Sequence, residues 1–124
     1  MAQDKVADAL NMIMNAKRAR KDTIEVAHYS KLLTSVLAIA KLRGYVKDYK
    51  VENGVLKVTL GTVRGINSIK PRYVVPADKL EKYIIRYLPA KNIGILIIST
   101  SKGLMTHETA IEKNLGGALI AYIY

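Results

Sequence analysis

Residues 99–103 read Ser-Thr-Ser-Lys-Gly: Ser99, Thr100, Ser101, Lys102 and Gly103. Three hydroxyls, one ammonium and free backbone amides at a glycine turn make a dense set of short donors and acceptors. Hydrolytic chemistry finds little support. Ser99 and Ser101 lack a Gly-x-Ser-x-Gly elbow. His28 and His107 are far apart, and His107 beside Glu108 falls short of the three or four ligands that zinc needs. No phosphate loop or dinucleotide fingerprint occurs, so no cofactor and no metal are expected. The four carboxylates after residue 67 fall on expected helix surfaces, which leaves few groups for general acid–base work. The Ser99–Gly103 set instead suits phosphates, sugar 2′-hydroxyls and base edges in the shallow minor groove of RNA. The alternative is a plain strand-to-helix loop whose hydroxyls satisfy their own backbone, and the local residues leave both readings open.

The charge favours a polyanion. Twenty Lys and Arg stand against ten Asp and Glu in 124 residues, a formal net charge of +10. Half of the residues are hydrophobic, so the charge sits on a folded body and not on a disordered tail. Residues 1–66 hold 12 bases and 6 acids, and residues 67–124 hold 8 and 4. Both halves are positive, which suggests one basic surface running across the molecule. Nucleic acid leads as the partner, ahead of an anionic membrane surface and of charge kept for solubility. No apolar run approaches the ~18 residues of a membrane span, and Met1–Asp8 has no secretory core. Cysteine is absent, which excludes disulfides and thiolate metal sites and is compatible with the cytosol. Phe and Trp are absent too, so the core must be aliphatic, with eight Tyr.

These residues need elements to hold them. Val6, Ala9, Leu10, Ile13 and Met14 recur at helical spacing, which predicts a helix from Asp4 to about Ala19. The cations Lys17, Arg18, Arg20 and Lys21 fall where it should end. Thr23–Val26 reads as a short strand. Ser30 looks like an N-cap for a helix that carries Leu33, Val36, Leu37 and Ala40 and stops at Gly44. Tyr45–Glu52 and Val55–Leu60 flank Asn53-Gly54, the strongest short hairpin signal. A two-residue turn there makes paired positions sum to 107. Lys50 then opposes Lys57, a costly pair unless solvent or an anion screens it.

Gly61, Gly65 and Asn67 loosen the chain, and a boundary is expected there, giving domains 1–66 and 67–124. Ile69–Val75 should be a strand, with Pro71 at an edge or bulge. Asp78–Leu88 should be a helix closed before Pro89. Ile95, Leu96, Ile97 and Ile98 form a continuous run that fits a strand buried on both faces. Thr106 should cap a helix through about Lys113, with His107 an ordinary surface residue at its start. Asn114–Gly117 turns the chain into a last strand, Ala118–Tyr124. The expected fold class is α+β, α-β-α-β-β followed by a mainly β half with a short helix.

Ile98-Ser99-Thr100-Ser101-Lys102-Gly103-Leu104-Met105-Thr106, with Ala110, Gly116-Gly117 and the closing Ala121-Tyr122-Ile123-Tyr124, resembles the carboxy-terminal signature of the small-subunit ribosomal protein S-eight family. The combination ties loop, helix, turn and terminal strand together, and the resemblance runs the whole chain. Asn15-Ala16 resembles the family's Arg-Asn-Ala region, with Met14 in place of the Arg, and Ser30-Lys31-Leu32 resembles the start of its second helix. Ile69-Lys70-Pro71-Arg72-Tyr73 and Arg86-Tyr87-Leu88-Pro89-Ala90 are similar to the archaeal and eukaryotic branch. Ala118 departs from the bacterial pattern, which has Glu there, so any contact of that Glu does not carry over.

The resemblance implies two small mixed α/β domains packed together, binding to a helical element in the central domain of small-subunit ribosomal RNA and a role in assembly, without catalysis. It assigns the main RNA contact to Ser99–Gly103. Further contacts fall on Ser30 and Lys31, on Asn15, Lys17 and Arg18, and on Lys70, Arg72 and Tyr73. The expected partners are that RNA and neighbouring small-subunit ribosomal proteins, with no membrane. The protein is expected in the cytoplasm, on the ribosome, and as a monomer outside it. Two rivals remain from other classes: a small basic hydrolase using Ser101 or His107, and a sequence-neutral DNA-binding chromatin protein.

Overall fold

The computed structural model describes residues 5–70, 72–90 and 92–124. The expected helix start at Asp4, the placement of Pro71 and the charge of Lys91 lie outside the described residues. The chain divides into two compact units, Met1–Asn67 and Ser68–Tyr124.

In the first unit, α1 (Lys5–Arg18) buries Val6, Ala9, Leu10, Ile13 and Ala16. Its end is a Schellman turn: Arg20 takes φ 59°, and Lys21 N donates to the Ala16 carbonyl at 2.8 Å. Ser30 caps α2 (Lys31–Leu42), its hydroxyl accepting from Leu33 N at 3.2 Å. Leu33, Val36, Leu37 and Ala40 are buried on one face of that helix. Strands β1 (Thr23–Val26), β2 (Val46–Glu52) and β3 (Val55–Leu60) form a sheet in the order β1-β3-β2.

The β2–β3 register is the expected one: Val51 opposes Leu56, Tyr49 opposes Val58 and Lys50 opposes Lys57. Asn53 and Gly54 take φ 54° and 76°, the two positive values of a type I′ turn. Asn53→Ala is therefore expected to cost about 1 kcal/mol of stability while leaving RNA affinity intact. Thermal melting beside an RNA titration separates the two effects, and unchanged melting would remove the strain argument.

The facing lysines are screened by the protein itself. Glu52 reaches Lys50 at 2.7 Å and Lys57 at 3.3 Å. The Lys50 ammonium first, and then that of Lys57, holds the Glu52 carboxyl below its usual range. An external anion is not needed on that face.

The second sheet has the order β4-β8-β6-β7, with β5 also on β8. The strands are β4 (Ile66–Ser68), β5 (Val74–Val75), β6 (Ile95–Thr100), β7 (Gly103–Thr106) and β8 (Gly117–Ile123). Three expectations need correction here. Of the strand expected over Ile69–Val75 only Val74–Val75 forms, as β5, and a separate short strand, β4, precedes the expected range at Ile66–Ser68. Ile69 and Tyr73 still bond to β8, through Ile69 N to the Ile120 carbonyl and Leu119 N to the Tyr73 carbonyl, both 2.9 Å. The helix expected from Asp78 begins as a 3-10 turn, Ala77–Lys79, before α3 (Leu80–Tyr87). Leu88 leaves it at ψ 148°, the extended conformation imposed by the following proline. The third correction is β7, a strand where a loop was expected.

Ile95, Leu96, Ile97 and Ile98 are all fully buried. Each such side chain contributes about 1.5–3 kcal/mol relative to exposure. Leu96 and Ile98 pack with Ile69, Val75, Leu80, Ile84, Leu88, Ala110 and Leu119. Tyrosines rim that core. Tyr87, Tyr122 and Tyr124 stack in a row at 5.5 and 6.0 Å between ring centres, and Arg86 lies over Tyr87 at 5.4 Å. α4 (His107–Glu112) completes the unit.

Candidate nucleic-acid interface

Residues 99–103 form the tip of a tight hairpin. Thr100 pairs with Gly103, Ser99 with Leu104 and Ile98 with Met105, so the turn is Ser101-Lys102 alone. Neither turn residue takes a positive φ, whereas Gly103 does, at 111°. A glycine at the fourth position of a type I turn meets that requirement without strain. Thr100 locks the turn. Its hydroxyl accepts from Lys102 N at 3.1 Å and donates to the Gly103 carbonyl at 2.9 Å. The three hydroxyls therefore differ in role. Thr100 shapes the backbone, as Ser and Thr do in such turns. Ser101 is exposed and its hydroxyl makes no hydrogen bond within the described chain. Ser99 is half-buried on the strand face opposite to Thr100.

The tip is held from behind by β8. A Cβ on Gly117 would run into the Ser99 carbonyl oxygen and come within 2.8 Å of its carbon. A Cβ on Gly116 would lie 2.5 Å from the Val75 carbonyl oxygen. The glycine pair thus lets β8 approach both β5 and the strand that carries the hairpin. On the other side, Thr106 ends β7 and caps α4, accepting from Thr109 N at 3.4 Å. Thr109 stands where a capping box has Glu, and its hydroxyl lies 3.3 Å from that of Thr106, a contact between side chains that leaves the box incomplete.

His107 is not the surface residue expected from sequence. It is 3% exposed, and its Nδ1 accepts from Leu96 N at 3.1 Å. A ring nitrogen that accepts carries no proton, so a neutral His107 holds its proton on Nε2. Ser101 makes no hydrogen bond to it. The hydrolase reading therefore lacks a joined nucleophile and base. Among the described residues no group of three His, Asp or Glu could hold a metal ion, and no helix is long and apolar enough to cross a membrane.

The other expected contacts are placed as follows. In the first unit, Asn15, Lys17 and Arg18 form the last turn of α1. Asn15 and Arg18 are exposed and Lys17 is half-buried. Lys31 is exposed at the start of α2, but the Ser30 hydroxyl is engaged as its cap. In the second unit, Lys70 and Arg72 are exposed. Tyr73 packs on the core with its ring 5.8 Å from that of Tyr83, which leaves it partly available for stacking. Sequence reasoning missed the hairpin. The alternation Gly103-Leu104-Met105-Thr106 behind a Ser-Lys turn was the signal for it.

The chain matches the family model described as ribosomal protein S8 over residues 4–124. It is also similar to the small ribosomal subunit protein uS8 of Nanoarchaeum equitans (strain Kin4-M), at 42% identity over 129 aligned positions that cover all of both chains. With a full-length family match and a full-length relative, the chain belongs to the ribosomal protein S8 family, whose members are structural constituents of the small ribosomal subunit.

Proposed function

We propose that the protein binds directly to a helical element in the central domain of small-subunit ribosomal RNA and aids assembly of the subunit. The observation that carries this reading is the hairpin tip. Ser101, Lys102 and Gly103 are exposed together on a turn that Thr100 locks, at the end of a strand whose apolar residues are fully buried. A turn whose backbone is held in this way presents a hydroxyl and an ammonium at a reduced ordering cost at binding. Ser101 reads the RNA by shape and 2′-hydroxyl contact, and Lys102 neutralises phosphate. Lys31, Asn15, Lys17, Arg18, Lys70 and Arg72 add polar and phosphate contacts, and Tyr73 stacks on a base or sugar. Ser99 and Thr100 shape the tip, and Ser30 acts by holding the start of α2. The RNA and neighbouring small-subunit ribosomal proteins are the partners, on cytoplasmic ribosomes, and the free protein is a monomer.

The test is a titration with a ribosomal RNA hairpin across salt concentrations. If about five phosphates are neutralised, the log–log slope is about −3 to −5. Lys102→Ala is expected to reduce that slope by about one unit and to weaken cognate and unrelated RNA alike. A slope near zero would overturn the reading, and equal affinity for duplex DNA would replace it with the chromatin alternative.

A further inference from the structure

Among the described residues β1 stands at an edge of its sheet and pairs with β3 alone. Its register leaves a defined set of backbone groups unpaired. Leu60 N donates to the Asp22 carbonyl at 2.7 Å, and Ile24 opposes Val58 two positions on. In an antiparallel ladder these alternate pairs exchange hydrogen bonds. Asp22, Ile24 and Val26 therefore point their N–H and C=O groups at β3. Those of Thr23 and Glu25 point outward.

The outward edge opens onto a trough beside α1, made of two adjoining cavities. One, of about 470 Å³, is lined by Met12, Asn15, Ala16, Lys21, Thr23 and Glu25, among others. The other, of about 340 Å³, is lined by Lys5, Asp8, Met12, Glu25, Ala27 and His28, among others. Met12 and Glu25 belong to both, so the trough follows the whole of β1. Its floor is apolar and shallow, with Met12 38% exposed between small alanines. Its lining charges balance, two carboxylates against two lysines, whereas the whole chain carries twice as many bases as acids. Two of the ten carboxylates, Asp8 and Glu25, face it, and among the described residues neither is in an ion pair. The cations Lys5 and Lys21 stand at opposite ends.

We propose that the free edge of β1 takes an extended, cationic segment of a neighbouring protein as a fourth strand, lying in the trough beside α1. An extended polypeptide repeats its N–H and C=O groups at the two-residue spacing that Thr23 and Glu25 present, and main-chain pairing of this kind supplies affinity by itself. A nucleic acid has no such ladder of alternating donors and acceptors, and its phosphates would meet Asp8 and Glu25. An alternating segment places apolar side chains over Met12 and basic ones beside the two carboxylates. The inference does not depend on RNA binding by the hairpin at 99–103.

The experiment uses the full chain and a capped six-residue peptide of alternating valine and lysine. Its control is the same peptide N-methylated at the residues that would face β1. Binding is expected to slow amide exchange at Thr23 and Glu25, and N-methylation to weaken it about tenfold or more. Thr23→Pro removes an outward N–H without changing any charge, at the first residue of the strand, where an edge strand tolerates proline. It is expected to weaken the peptide about tenfold with little change in melting. Should that variant melt early, Glu25→Lys, which keeps the backbone and repels the cationic peptide, is expected to lower affinity about fivefold or more. Equal affinity for the N-methylated peptide, or unchanged exchange at Thr23 and Glu25, would overturn the proposal. Protection of those two amides by a ribosomal RNA hairpin but not by the peptide would also overturn it.

Discussion

Gly117→Ala is expected to destabilise the protein by about 3 kcal/mol or more and to abolish hairpin-dependent RNA binding with it. Overpacking a tight site costs about 1–3 kcal/mol and sometimes more. This site stands at the upper end because the obstacle is backbone. The added methyl would collide with the Ser99 carbonyl oxygen, with Ile98 Cγ2 at 3.0 Å on the other flank. A flexible side chain could swing away, but Ser99 is tied into the β6–β8 ladder opposite Ala118. Relief requires the two strands to part, and β6 carries the fully buried Ile95–Ile98 run. Chemical denaturation with and without the substitution measures the effect. A loss below about 1 kcal/mol would mean that the strands adjust freely, and the glycine would then need another explanation.

Ser101→Ala is expected to leave the fold intact and to weaken cognate RNA binding by about 5- to 150-fold. The Ser101 hydroxyl is exposed and makes no hydrogen bond within the described chain, so its removal leaves no protein group without a partner. The turn is held by Thr100 through Lys102 N and the Gly103 carbonyl, and these bonds stay. An RNA group buried against the missing hydroxyl loses its partner, at about 1–3 kcal/mol. An unrelated RNA hairpin should lose little, which is the contrast with Lys102→Ala. Unchanged affinity for the cognate hairpin, with unchanged melting, would remove Ser101 from the recognition surface. Thr100→Val is the complementary variant, because it keeps the shape of the side chain and breaks the turn's two hydrogen bonds. A weakened interface there, with Ser101 still present, would show that preorganisation of the tip matters as much as its chemistry.

Much of this molecule was legible as sequence, because many of the deciding interactions are local. Asn53-Gly54 requires two positive φ values whatever surrounds it, and the 107-sum register of β2 and β3 follows from that turn. Ser30 and Thr106 cap helices by bonding amides three residues on. The uninterrupted Ile95–Ile98 run admits little but a strand covered on both sides. The signature at Ser99–Gly103 is carried by residues that lie at a hairpin tip.

What the sequence left open depends on partners distant along the chain. The position of Ser101, Lys102 and Gly103 on a hairpin tip requires β7 to pair with β6, which local spacing only hints at. The Thr100 and Ser101 hydroxyls are chemically similar, and the folded turn engages one and leaves the other exposed. His107 reads as an exposed helix start until its ring is buried and accepts the Leu96 amide, because burial of a polar ring is settled by whatever donor lies across from it. Glu52 becomes the screen for Lys50 and Lys57 only once the strands are paired. The glycines at 116 and 117 look like a flexible turn, yet their need arises from the carbonyls of Val75 and Ser99 far from them in sequence. The open edge of β1 likewise exists only because β3 takes the other side. Torsional preferences and hydrogen bonds to near neighbours are properties of a short segment, and the sequence determines them by itself. Burial, close approach and the vacancy of a strand edge are properties of pairs of segments, and only the tertiary structure decides them.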